Sequence, residues 1–213
     1  MNFQSEKEMT EMRTQLTQKD AKLGKTTAHI VLPELDISND IYISLLDAVV
    51  SQQLSTKVAT IIFDRFLLLF EGDPNPKALL KKEIEELRSV GLSGQKAQYL
   101  KNIAAYWIEN QAENQNWEAM PETEIIEKLT TIKGVGKWTV QMILMFQLGR
   151  LDVFPVDDLG ILQGMMRLYD EHNWEEMTKK QRLEKMETLA TAWIPFRSVA
   201  SRLIWRWKDS TKN

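Results

Sequence analysis

The sequence predicts an all-α protein, and three observations carry that prediction. Only nine glycines and six prolines occur in 213 residues, well below the roughly 12% combined share of an average protein. Apolar residues recur at the three- and four-residue spacing of a helix face through most of the chain. No segment alternates apolar and polar residues as a half-buried strand does.

In chain order, the periodic segments give about ten helices. Residues 1–20 are polar, and Met9, Met12 and Leu16 make only a thin apolar stripe, so this stretch is expected to be frayed or loosely helical. Asn39 or Asp40 can cap a helix carrying Ile41, Leu45, Leu46 and Val49. The pattern breaks at Ser51-Gln52-Gln53-Leu54. Ser55 can cap the next helix, with Val58, Ile61, Ile62, Phe66 and Leu69 as its buried stripe. Pro76 suits a first helical position after the turn that begins at Gly72. Gly91-Leu92-Ser93 ends one short helix and caps another that runs through Leu100, Ile103 and Trp107. Ile125, Ile126 and Leu129 mark the core face of a helix from Pro121 to Leu129. After Gly134-Val135-Gly136, a strongly apolar helix covers Lys137 to about Leu148. Phe154-Pro155-Val156 reads as extended, because a residue before proline is pushed out of the helical region. Asp157-Asp158 opens a helix to about Tyr169, and Thr178 caps one through Ala192. Pro195 breaks the chain ahead of a last helix, Arg197 to about Trp207.

Composition removes several function classes. With no cysteine, disulfides and thiolate-held zinc or iron–sulfur sites are excluded. His29 and His172 are the only histidines, too few for a histidine metal centre. No apolar run reaches the roughly 18 residues of a membrane span. The polar N-terminus does not read as a signal peptide, so a cytoplasmic protein is expected. The net charge of −3 by itself opposes nucleic-acid binding. Its distribution leaves the question open, because residues 131–213 carry 13 basic against 10 acidic side chains.

The stretch from Leu129 to Thr139 carries the most chemistry. Gly134 and Gly136 flank Val135 between two amphipathic helices, which permits a tight hairpin with positive backbone angles. Backbone amides at the start of the second helix are then uncovered and attract phosphate, with Lys133 and Lys137 adding charge. A plain helix–helix turn with glycine as C-cap explains the glycines equally well.

The surroundings decide between these readings. Leu129 to Thr139 resembles the helix-hairpin-helix of the DNA glycosylase superfamily that carries a downstream Gly/Pro-rich loop and an essential aspartate. Here that loop is Asp152-Val-Phe-Pro155-Val-Asp157-Asp158-Leu-Gly160-Ile161. In spacing and wording it is similar to the 3-methyladenine DNA glycosylase II family. Ser51 to Ser55 and Pro195-Phe196-Arg197-Ser198 through Trp205 match that family too, so the resemblance covers about residues 40–208.

The resemblance implies two helical subdomains with a DNA-binding cleft between them. Residues 1–38 are expected to pack with the C-terminal helices, and residues 39–213 to form the glycosylase domain. Within it the hairpin spans about 122–149 and the catalytic loop 151–160. Both aspartates precede a helix, so either can cap it. In the family the catalytic carboxylate stands three residues before an aliphatic one, a rule Asp158 meets through Ile161; catalysis falls to Asp158 and capping to Asp157. Gln53 sits where the family inserts a side chain into the base stack. Leu54 is the alternative wedge, although core packing is its more ordinary use. Lys133, Gly134, Val135, Gly136, Lys137 and Thr139 are the phosphate-binding element. Trp138 is expected to line the base pocket, and Trp205 to line it or to join the core. Met142 stands where the family often has an aromatic residue, which alters pocket shape. Trp107, Trp117, Trp174, Trp193 and Trp207 are read as core or surface residues. Arg197 pairs with an acidic loop or touches phosphate.

The implied activity is excision of alkylated purines such as 3-methyladenine and 7-methylguanine from double-stranded DNA. A monomer without cofactor is expected, with a monovalent cation at the hairpin left open for the DNA-bound state. Relatives that also nick DNA carry a lysine where this chain has Trp138, which favours a monofunctional enzyme. The alternatives are a glycosylase for another lesion, a non-catalytic DNA-binding module that uses the hairpin alone, and a helical protein scaffold.

Overall fold

A computed structural model of the chain describes residues 6–35, 37 and 40–210. Twelve α-helices and three short 3₁₀ turns, and no strand, occur among the described residues. None of these helices is long and apolar enough to cross a membrane. The chain divides into two compact units, one made of Asn39–Ile143 and the other of Met1–Ser38 with Leu144–Asn213.

The unit formed by the two ends holds α1 (Glu6–Lys19), α2 (Ala21–Thr26), α10 (Leu159–Leu168), α11 (Lys179–Ala190) and α12 (Arg197–Ser210). Of the two alternatives, frayed or loosely helical, the stripe on α1 gives a regular helix from Glu6 to Lys19, because it is docked rather than free. Met12 and Leu16 are buried in one cluster with Leu23, Trp193 and Leu203. Arg13 also donates to the carbonyls of Thr27, Ala28 and Ile30, satisfying the backbone beyond α2. Asp20 is the polar centre of this packing. Its Oδ1 caps α2 by accepting from the Leu23 amide at 2.9 Å, and its Oδ2 accepts from the Trp193 indole at 2.9 Å and from the Tyr169 hydroxyl. Buried donors on two aromatic residues are thereby paired, which removes a desolvation cost of about 1–3 kcal/mol for each. α10 and α12 approach closely at Gly164, where a Cβ would lie 2.2 Å from Ile204 Cγ2.

The second unit holds α3 (Ile41–Ser51), α4 (Thr56–Leu68), α5 (Pro76–Lys81), α6 (Ile84–Ser89), α7 (Gly94–Glu109), α8 (Glu122–Thr130) and α9 (Lys137–Phe146) as far as Ile143. Two caps fall where the sequence puts them, Asp40 accepting from Ile43 and Ser93 from Lys96, and Pro76 opens α5 behind a cap by Asn75, which accepts from Ala78. Asn39, the other candidate cap, lies outside the described residues. One buried face differs from expectation. On α4 the residues turned inward are Ala59 and Phe66, whereas Val58 and Ile61 are exposed. Phe66 stacks with Phe63 on the same helix and meets the tilted ring of Phe70 just beyond its end, so the buried contact is aromatic rather than the aliphatic stripe expected. All five tryptophans assigned to core or surface are buried.

Candidate active site and DNA-binding elements

The loop before α10 is fastened to the start of α12. The Arg197 guanidinium grips both carboxylate oxygens of Asp152, at 2.7 and 2.8 Å, and donates to the Asp152 carbonyl. Of the two partners open to Arg197, it takes the acidic loop. Ser198 continues the clamp: its amide donates to the Leu151 carbonyl, and its hydroxyl accepts from the Val153 amide, each at 2.9 Å. The backbone then turns, with the Asp158 amide bonded to the Pro155 carbonyl at 2.9 Å.

This turn delivers Asp158 to the N-terminus of α10. Its Oδ1 accepts from the Ile161 amide at 2.7 Å and from the Trp205 indole at 2.8 Å. The capping residue is therefore Asp158, not Asp157 as expected. Only the residue directly before Leu159 can reach the third helical amide, that of Ile161, and Asp157 is one position too early and exposed. Gly160 is required by the same geometry. A Cβ there would stand 3.0 Å from both Asp158 Oδ1 and Trp205 Cδ1, tighter than ordinary contact. Phe146 stacks on Trp205 with ring centroids 6.2 Å apart. The Ile161 amide at the helix N-terminus and the Trp205 indole, itself braced by Phe146, thus hold one partly buried carboxylate in a single orientation, as electrostatic stabilisation of a nearby positive centre requires. Phe146 is a site residue the sequence reading missed; one more aromatic at the end of an apolar helix gives no signal of what it stacks on.

In the other unit, the hairpin joins α8 to α9. Gly134 has φ +110°, the left-handed side of the map, and a Cβ on it would fall 2.3 Å from Cγ of Tyr99. Gly136 departs from the expected pair of positive angles. It lies outside the left-handed region, and a Cβ on it would meet nothing within 4 Å. The first backbone bond of α9 runs from the Val140 amide to the Gly136 carbonyl, so the Gly136 and Lys137 amides precede the helix ladder. Lys133, Gly136 and Lys137 are exposed; Val135 and Thr139 are buried, so their side chains secure the hairpin to the core. Trp138 is 46% exposed, and Met142, one turn on, is partly buried.

The break between α3 and α4 projects outward. Gln53 is exposed with φ +58°, uncommon for a residue with a side chain. Leu54 is 37% exposed, so the core reading of it fails. The left-handed turn at Gln53 carries the chain away from α3 before Leu54 can fold inward. Among the described residues, no group of three or more His, Cys, Asp or Glu could hold a metal ion.

The chain is similar to known proteins in sequence and in fold. Over 168 residues the chain is 36% identical to DNA-3-methyladenine glycosylase 1 of Schizosaccharomyces pombe, covering 78% of this chain and 71% of that protein. The crystal structure of a DNA-3-methyladenine glycosidase from Bacillus halodurans superposes with a TM-score of 0.78 at 31% identity, covering 92% of this chain and 88% of that one. A 3-methyladenine DNA glycosylase from S. pombe in complex with abasic DNA gives a TM-score of 0.74 at 31% identity, covering 92% and 95%. The sequence profile described as HhH-GPD superfamily base excision DNA repair protein matches residues 46–190. The chain belongs to the HhH-GPD superfamily of base excision DNA repair proteins.

Proposed function

We propose that this DNA glycosylase extrudes alkylated purines of the 3-methyladenine and 7-methylguanine type from duplex DNA and hydrolyses their bond to deoxyribose. The observation that carries the reading is the carboxylate of Asp158, fixed by the Ile161 amide and the Trp205 indole at the start of α10. Loss of the base leaves an oxocarbenium-like sugar. A fixed carboxylate stabilises that charge and orients the attacking water. Alkylation at a ring nitrogen makes the base cationic and a good leaving group, so no strong general acid is needed. A base inside the duplex must first be extruded, and Gln53, with Leu54 beside it, is the wedge that fills the vacated stack. Lys133, Gly134, Gly136 and Lys137 hold the backbone phosphates. Trp138 and Met142 in one unit, and Trp205 in the other, are each proposed as base-contacting residues, a cation over an indole gaining roughly 0.5–2 kcal/mol.

The test is release of free 3-methyladenine and 7-methylguanine from methylated duplex DNA, resolved by chromatography, in buffer containing a chelator. Both bases should appear without added metal. Dependence on a divalent ion would overturn the cofactor-free mechanism, and release of 3-methyladenine alone would narrow the substrate class. The hairpin reading has its own test. If Lys137 contacts a phosphate, Lys137→Ala should flatten the slope of log affinity against log salt by roughly one unit on any duplex. An unchanged slope would show that Lys137 points away from DNA.

A further inference from the structure

The outward loop at Gln53 and the glycine hairpin are both bolted to α7. Lys96, Tyr99 and Asn102 follow one another at three-residue spacing, so each is the neighbour of the next in a row that winds along the helix. The Lys96 ammonium donates to the carbonyls of Val50 and Gln52, at 2.7 and 2.8 Å, closing the end of α3 immediately before Gln53. Tyr99 fills the space that a side chain at position 134 would need. Asn102 donates to the Lys133 carbonyl at 3.0 Å. A direct tie completes the circuit, since the Gln52 side-chain Nε2 donates to the Gly134 carbonyl at 3.2 Å.

The position of Lys96 is costly on local grounds. It stands in the first turn of α7, where the helix dipole disfavours a cation, and burial lowers its pKa from the ordinary lysine value. The carbonyls at the end of α3 need donors, because the chain turns to a left-handed residue instead of continuing the helix. Lys96 supplies two bonds there from a charged group, the stronger class of hydrogen bond.

We infer that Lys96, assisted by Gln52, is a positioning residue for base extrusion: it locks the Gln53 loop to the phosphate-gripping hairpin, so that anchoring the backbone sets how far the wedge enters the stack. This rests on the reading of Gln53 as the wedge and of the hairpin as the phosphate anchor. The lock acts before chemistry, so its loss should matter only where a base must be forced out of a pair.

The experiment compares single-turnover release of 7-methylguanine from two duplexes, one with the lesion paired to cytosine and one with it opposite an abasic analogue. Lys96→Met keeps the apolar stem and removes the donor. It should slow release from the paired duplex by about tenfold or more, and leave the abasic-opposed duplex and the affinity for undamaged DNA nearly unchanged. Lys96→Arg, which retains a donor, should restore the paired rate. Gln53→Ala should show the same dependence on pairing as Lys96→Met. Equal slowing on both duplexes, no slowing on either, or a general loss of duplex affinity from Lys96→Met would overturn the inference. If Lys96→Met does not fold, Gln52→Met, which severs only the tie to Gly134, must show the pairing-dependent loss or the inference fails. Absence of release by the wild-type protein from either duplex would instead refute the functional reading, and a pairing effect in Gln53→Ala alone would leave the wedge standing without the lock.

Discussion

Asp158→Asn is expected to lower single-turnover base release by about 10²–10⁴-fold, the range for losing a positioned electrostatic or general-base group. The substitution isolates charge from shape. An asparagine Oδ1 can still accept from the Ile161 amide and the Trp205 indole, so the cap on α10 and the packing of Trp205 persist. Binding to lesion-containing duplex should therefore be largely retained, and the thermal midpoint should hardly move. Asp157→Asn should leave rate and stability close to wild type, because Asp157 is exposed and the cap belongs to its neighbour. If Asp157→Asn is the inactive variant and Asp158→Asn is active, the assignment of the carboxylate is wrong.

The two hairpin glycines should separate folding from DNA binding. At Gly134 an alanine meets two penalties. The left-handed φ costs about 1–2 kcal/mol, and its Cβ would collide with the base of the Tyr99 side chain, where overpacking costs roughly 1–3 kcal/mol. The thermal midpoint of Gly134→Ala should fall by about 5–15 °C for a chain of this size. Gly136→Ala meets neither penalty and should melt like the wild type. Its methyl group instead stands on the open surface where a phosphate would approach. Affinity for every duplex, damaged or not, should fall, since phosphate contacts carry no sequence information. Equal melting of the two variants, or unchanged affinity in Gly136→Ala, would contradict this division. The measurements are differential scanning calorimetry and fluorescence anisotropy on an undamaged duplex.

The contrast between these glycines also shows what the sequence makes legible. A glycine pair between amphipathic helices announces a hairpin, but which member needs the positive angle depends on Tyr99, 35 positions away. The family resemblance singles out Asp158 through the aliphatic residue three places on, yet the cap it leaves to Asp157 belongs to Asp158 itself. The indole partner of Asp158, 47 positions distant, is not legible, since periodicity carries no information about which helix packs where. The same limit misplaces Leu54 and the α4 face. An apolar residue after a helix reads as core until a left-handed residue turns it outward. On α1, by contrast, a weak stripe forms a regular helix because docking on the C-terminal helices supplies what local propensity lacks. Lys96 leaves one faint trace, a cation at the unfavourable end of a helix, which only its carbonyl partners on α3 explain.

Hydrolysis of the base–sugar bond without strand cleavage is open to product analysis of a single reaction. Methylated duplex incubated with the wild-type protein would be divided for chromatography of released bases and denaturing electrophoresis of the strand, with borohydride added to a parallel sample. Free methylated purine, an intact strand bearing an abasic site, and no protein trapped on DNA are expected. Base release no faster than the spontaneous rate, or a nicked strand with protein covalently trapped by borohydride, would contradict it.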